Sequence, residues 1–167
     1  IDMPDSGEFM GLYSIGAYER LKSWLYGGIT LYGAATGRRG GFFTGGYTLG
    51  MEHSLSDNWI LDAGGYVGAG GGGEAAQGGG LMLRPHIGLK YDLSWSILGL
   101  NYSYVDFPNG DISSNAIALS LDIPFTSPIL NWEDKGLTEA DYLGADLSNV
   151  SRHRSHLAAR VRTYFPS

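Results

Sequence analysis

The chain has 167 residues and no cysteine. That excludes a disulfide framework and any cysteine-ligated metal site, and it suits passage through an oxidising periplasm. Charged residues make up 17%, against about 25% in typical soluble domains. The charge that is present leans acidic, with a formal net charge of −6 and a pI near 5.0. Nucleic-acid binding, which needs a basic face, is excluded on that ground. No apolar run approaches the ~18 residues of a membrane helix. This excludes only helical spanning, because barrel strands show lipid every second residue and look average on a hydropathy window. No secretory signal is visible, and a start at Ile1 rather than Met fits a signal peptide, or a longer N-terminal part, removed upstream.

Two residue types stand well above their usual share. There are 27 glycines and eleven tyrosines, and aromatics reach 13%, where glycine is ordinarily ~7%. Such a composition suits strands in close backbone contact and amphipathic rings at an interface, and does not suit a helical bundle. Eight stretches read as strands, over 10–19, 23–35, 41–53, 58–69, 80–91, 95–105, 114–125 and 156–165. Each is near the ~9–11 residues a tilted strand needs to cross a bilayer, and longer than the ~5–6 common in soluble domains.

The period is two. In the fifth strand Leu81, Leu83, Ile87, Leu89 and Tyr91 share a face opposite Arg84, His86 and Lys90. In the sixth, Leu98, Leu100, Tyr102 and Tyr104 oppose Gly99, Asn101 and Ser103. In the seventh, Ile117, Leu119, Leu121 and Ile123 oppose Ala116, Ala118, Ser120 and Asp122, and in the last Leu157, Ala159, Val161 and Phe165 oppose Arg160, Arg162 and Tyr164. The third and fourth strands obey the same parity, and the first two obey it weakly. The pattern predicts an all-β fold: an antiparallel up-and-down transmembrane β-barrel of about eight strands, a single domain over 1–167, in a bacterial outer membrane. Parity alone does not tell inside from outside, so a soluble ligand-binding β-barrel is the structural alternative. Rings near strand ends (Trp24, Tyr26, Tyr91, Trp95, Tyr102, Tyr104, Phe107, Phe125, Tyr164 and Phe165) fit girdles at the headgroup level.

Turns sort by length. Residues 54–58 and 92–94 are tight, whereas 37–40, 68–80 and 106–111 are longer or looser. Short turns are periplasmic in such barrels and longer loops extracellular. The segment 127–155 is then a long periplasmic connection, with a short helix expected over 138–150, or else the chain is part of a larger barrel.

The polar faces carry Glu52, Asp62, Arg84, Lys90, Asp122, Arg160 and Arg162. Buried charges must be paired, so these are expected to form a lumen charge network that plugs a narrow barrel, with a porin-like narrow polar channel as the alternative. Arg152, His153, Arg154 and His156 form a basic lipid-headgroup patch facing lipid phosphate or lipopolysaccharide. No metal site and no cofactor is expected, since the glycine tract lacks a Lys-Ser/Thr ending and opens no helix.

The order Asn101-Tyr102-Ser103, Pro108-Asn109-Gly110, then Ile123-Pro124-Phe125 resembles the end of the lipid A 3-O-deacylase family of outer-membrane barrels, over residues 58–125. The resemblance implies an eight-stranded barrel that hydrolyses an ester of lipid A, with a His-x-Ser on the penultimate strand and a Glu on the last. Ser103 stands at the nucleophile, Asn101 where the histidine belongs, and Asn115 near the glutamate. A serine hydroxyl needs a base, which Asn does not provide, leaving His86 on the adjacent strand as the substitute. The resemblance therefore implies fold and compartment more than activity. The ending Arg162-Thr163-Tyr164-Phe165 looks like the closing strand of outer-membrane proteins, although Pro166 and Ser167 follow it. The function expected is non-enzymatic: a structural, interaction or narrow-pore barrel, with the bilayer, lipopolysaccharide and other subunits as partners.

Overall fold

A computed structural model of the chain describes residues 10–37, 41–73, 75–76, 78–127 and 155–166, with backbone alone for 125–127 and 155–166. The elements are β1 (Gly11–Lys22), β2 (Leu25–Thr36), β3 (Phe43–Ser54), β4 (Trp59–Gly71), β5 (Leu81–Asp92), β6 (Ile97–Asp106), β7 (Ser113–Ser127) and β8 (Ser155–Pro166). No helix occurs among the described residues. Each neighbour in sequence is an antiparallel neighbour in space, so β1 to β7 form one up-and-down sheet. The β8 backbone pairs with β7 from Ala116↔Pro166 to Ser127↔Ser155, and with β1 from Tyr13↔Thr163 to Tyr18↔Ala158.

The sheet curls around an interior, with polar side chains facing it and large apolar side chains facing out. Inward positions hold Thr30, Thr44, Thr48, Asp62, Arg84, Lys90, Asn101, Ser103 and Asp122, all buried. Outward positions hold Ile15, Ile29, Leu49, Val67, Ile87, Leu100 and Leu119, each at least 48% exposed. The apolar residues that are buried gather at one end, where Met10, Leu12, Phe42, Met82, Phe107 and Ile112 pack together. That end carries the 37–42, 72–80 and 107–112 connections. Its loops lean on each other, through Asp111 N–H donating to Ala76 O at 2.9 Å and a Phe42–Phe107 edge contact at 5.9 Å. The other end carries the tight turns between β1 and β2, β3 and β4, and β5 and β6, and there the described part of β7 ends and β8 begins.

Part of the glycine and tyrosine surplus comes from rings that lie over glycines. A methyl on Gly50 would overlap the Tyr26 ring, one on Gly68 the Tyr66 ring and one on Gly16 the Tyr18 ring. Outside, Tyr13 covers Gly33 and Tyr47 covers Gly27 in the same way. A ring laid over a bare backbone buries area on both partners at a cross-strand or same-strand contact. Inward Gly28, Gly46, Gly64, Gly70 and Gly88 answer a second demand, since a Cβ there would strike the carbonyl of the neighbouring strand. The tight curl brings those backbones together, and only glycine tolerates the approach.

Two of the rings expected at the membrane interface lie elsewhere. Tyr26 is 4% exposed and Phe107 1%, because both occupy inward positions, where a ring fills the interior instead of meeting headgroups.

Candidate functional site

Toward the tight-turn end, inward residues of β1 to β7 converge on Lys90. Its Nζ lies 2.6 Å from Glu52 Oε1, 3.5 Å from Asp62 Oδ1 and 3.4 Å from Asp122 Oδ2. It also sits 4.9 Å from the centre of the Tyr26 ring. One cation among three carboxylates is stable only where further donors share the charge, and the structure supplies them. Arg20 binds the other Glu52 oxygen at 2.6 Å, the Tyr26 hydroxyl donates to Asp62 Oδ1 at 2.8 Å, and His86 Nε2 stands 3.3 Å from Asp62 Oδ2. Burial grades along this chain: the Lys90, Asp62 and His86 side chains are fully enclosed, Glu52 is 8% exposed, and Arg20, nearest the mouth, is 37% exposed.

The strand register explains the convergence. Glu52 pairs with Asp62, and Gly64 with His86. Lys90 lies across from Gly99, whose missing side chain leaves room for the lysine stem. Above this cluster run Tyr18–Thr30 at 2.6 Å and Thr30–Thr48 at 2.7 Å, then Thr44–Tyr66 at 3.1 Å. Arg84 lies in this upper part, donating to the Tyr32 hydroxyl at 3.2 Å with its guanidinium near that ring. The interior is thus layered: ionic near the turns, hydroxyl-rich in the middle, apolar under the loops.

Of the residues expected in a lumen charge network, Glu52, Asp62, Lys90 and Asp122 are brought together, and Arg84 sits higher beside Tyr32. Arg160 and Arg162 are described by backbone only, which pairs Arg160 with Asp122 and Gly16, and Arg162 with Ser120 and Ser14. Arg20, Tyr26 and His86 were missed as network members. Arg20 falls just past the expected end of the first strand, although it continues the Ser14–Gly16–Tyr18 alternation. The basic patch Arg152, His153, Arg154 lies outside the described residues, as does the helix expected over 138–150. His156 is described by backbone only, pairing with Thr126.

The residues carried by the deacylase resemblance do not converge. Ser103 and Asn101 are inward and 1% exposed, whereas Asn115 is outward and exposed. Parity separates them, because Asn115 pairs with Tyr104 and not with Ser103. The Ser103 hydroxyl donates to the Ala116 carbonyl at 3.3 Å, and Asn101 donates to Ser120 Oγ at 3.4 Å. His86 is the direct cross-strand partner of Ser103, but its Nε2 faces Asp62 and Tyr26. No family model, curated protein or solved structure matches this chain.

Proposed function

We propose that this chain is a Gram-negative outer-membrane β-barrel, closed by β8, spanning the bilayer, and plugged along its axis by its own side chains. Its role on this reading is that of a structural or interaction barrel whose partners are lipid, lipopolysaccharide and other envelope components. The observation that carries the proposal is the inversion of the two faces. Every strand from β1 to β7 presents large apolar side chains outward, while Lys90, Asp62 and Arg84 are wholly enclosed. In water each Å² of that outer face would forgo about 25 cal/mol of burial, and contiguous apolar patches beyond a few hundred Å² are rare on soluble monomers. In a bilayer the same face is matched to its solvent. Strand length agrees: twelve residues rise roughly 40 Å along the strand and, tilted ~40°, cross about 30 Å.

The plug has three layers, the ionic cluster, the hydroxyl-rich middle and the apolar group under the loops, and an eight-stranded barrel is just wide enough to be filled this way. That supports a sealed barrel over a narrow pore. It also counts against ester hydrolysis at Ser103, whose hydroxyl is enclosed.

The test joins three measurements on the refolded chain. It is expected to float with vesicles, to migrate faster on gels before heating than after, and to leave planar bilayers silent. Free solubility at high concentration without detergent would sink the membrane reading, and regular conductance steps would replace the plug with a pore.

A further inference from the structure

The outward face is not uniform. Across β4 to β7 it carries an apolar groove of about 410 Å³, walled by two rows of side chains. Leu61, Leu89 and Leu100 form one row, at one level of the register, and Ile87, Tyr102 and Ile117 form the other. The floor between them is the Gly88–Asn101 pair. At about 30 Å³ per methylene, close to a water's share of liquid volume, the groove holds roughly a dozen methylenes.

Toward the loop end the groove gives way to polar groups in a fixed order. Outward pairs of β6 and β7 read Leu100–Leu119, Tyr102–Ile117, Tyr104–Asn115, Asp106–Ser113. The face thus passes from aliphatic, through tyrosine and an exposed amide, to a carboxylate, with the exposed Asp111 in the loop above. Asn115 stands two residues inside the start of β7, about 5 Å below the strand end once tilt is allowed for.

The wall is irregular at the same place. The β5–β6 ladder runs to Leu83↔Asp106 and resumes at His86↔Ser103. Pro85 supplies no N–H there. Next to it, outward Gly65 pairs with Pro85 and has open space where a side chain would stand. A dent therefore adjoins the groove on its polar side.

We infer that this face of β4–β7 is a binding site for one diacyl phospholipid with an ammonium headgroup. An acyl chain lies in the groove, its ester carbonyl accepts from the Asn115 amide, and the ammonium meets the carboxylates of Asp106 and Asp111. A second protein would require a broad complementary surface, whereas this one is a narrow trough that turns polar at one end only. The outward charges beside the groove at that end, Asp106 and Asp111, are acidic, which selects a zwitterionic headgroup over the multiple phosphates of lipopolysaccharide. The inference rests on the membrane reading above.

The test is native mass spectrometry of the full chain released from vesicles of mixed phosphatidylethanolamine and phosphatidylglycerol. One retained phosphatidylethanolamine is expected, favoured over phosphatidylglycerol about tenfold. Leu100→Trp, which fills the groove, is expected to abolish retention, and Asn115→Leu to weaken it. Leu31→Trp, on the far side, should leave it intact. Equal retention of both lipids, no retained lipid, or equal loss in Leu31→Trp overturns the site. Because the wild-type selectivity needs no variant, a misfolded mutant does not rescue the proposal. Failure of the chain to float with the vesicles would instead strike at the membrane reading itself.

Discussion

Single residues carry unequal weight in this fold, and Lys90 carries the most. Three carboxylates lie within 3.5 Å of its ammonium. Lys90→Ala leaves them facing one another with no central cation, a loss of about 3–5 kcal/mol by analogy with other broken buried pairs. Denaturant unfolding of the refolded chain should register it as a large drop in midpoint. Glycines make a sharper comparison, because chemically identical changes should have unequal consequences. Gly50→Ala drives a methyl into the Tyr26 ring and disturbs the Tyr26–Asp62 bond, costing about 1–3 kcal/mol. Gly65→Ala meets open space and should stay within about 0.5 kcal/mol of wild type in the same unfolding assay. At this scale the sequence was half legible. The charges of the polar faces could be collected by parity, so Glu52, Asp62, Lys90 and Asp122 were readable as one set. His86 was readable as a polar-face residue but not as a partner of Asp62, since that depends on which strands meet across the interior, and Tyr26 was expected among the interface rings instead. Arg84 was readable as a polar-face residue yet not as the partner of Tyr32.

Strands were the most legible level. No observed end differs from the sequence expectation by more than three residues, because period-two alternation and turn residues are both local signals. The first two strands were the faintest, and their register shows why. Their contrast rests on glycine and tyrosine, which occur on both faces, so hydropathy does not alternate even where burial does, as in the first part of β1. Which face points inward was not legible at all, since alternation is symmetric and only the direction of the sheet's curl assigns a side. The β5–β6 seam is the weak element. With Pro85 in mid-strand the ladder skips from Leu83↔Asp106 to His86↔Ser103. Hydrogen exchange of the detergent-solubilised chain should find faster amides beside this gap than further along β6, and Pro85→Val, which restores a donor, should slow them. Uniform protection along β6 would show that the seam is no weaker than its neighbours.

The whole molecule follows from one inversion: a sheet whose polar side is enclosed and whose apolar side is bare. On the proposed reading, the layered interior would seal the lumen and the outer belt would face lipid. Because the chain has no cysteine, single reporters can be placed without background. The most direct test is spin labelling at successive positions of β6, Leu98 to Tyr104, in refolded vesicles. Label accessibility is then measured to oxygen, which concentrates in lipid, and to a nickel complex, which stays in water. Period-two oxygen access is expected, high at Leu98, Leu100, Tyr102 and Tyr104 and low at Gly99, Asn101 and Ser103, with the nickel complex excluded from the outward set. Free nickel access at Leu98, Leu100 and Tyr102 would contradict it, because it would put the apolar face in water.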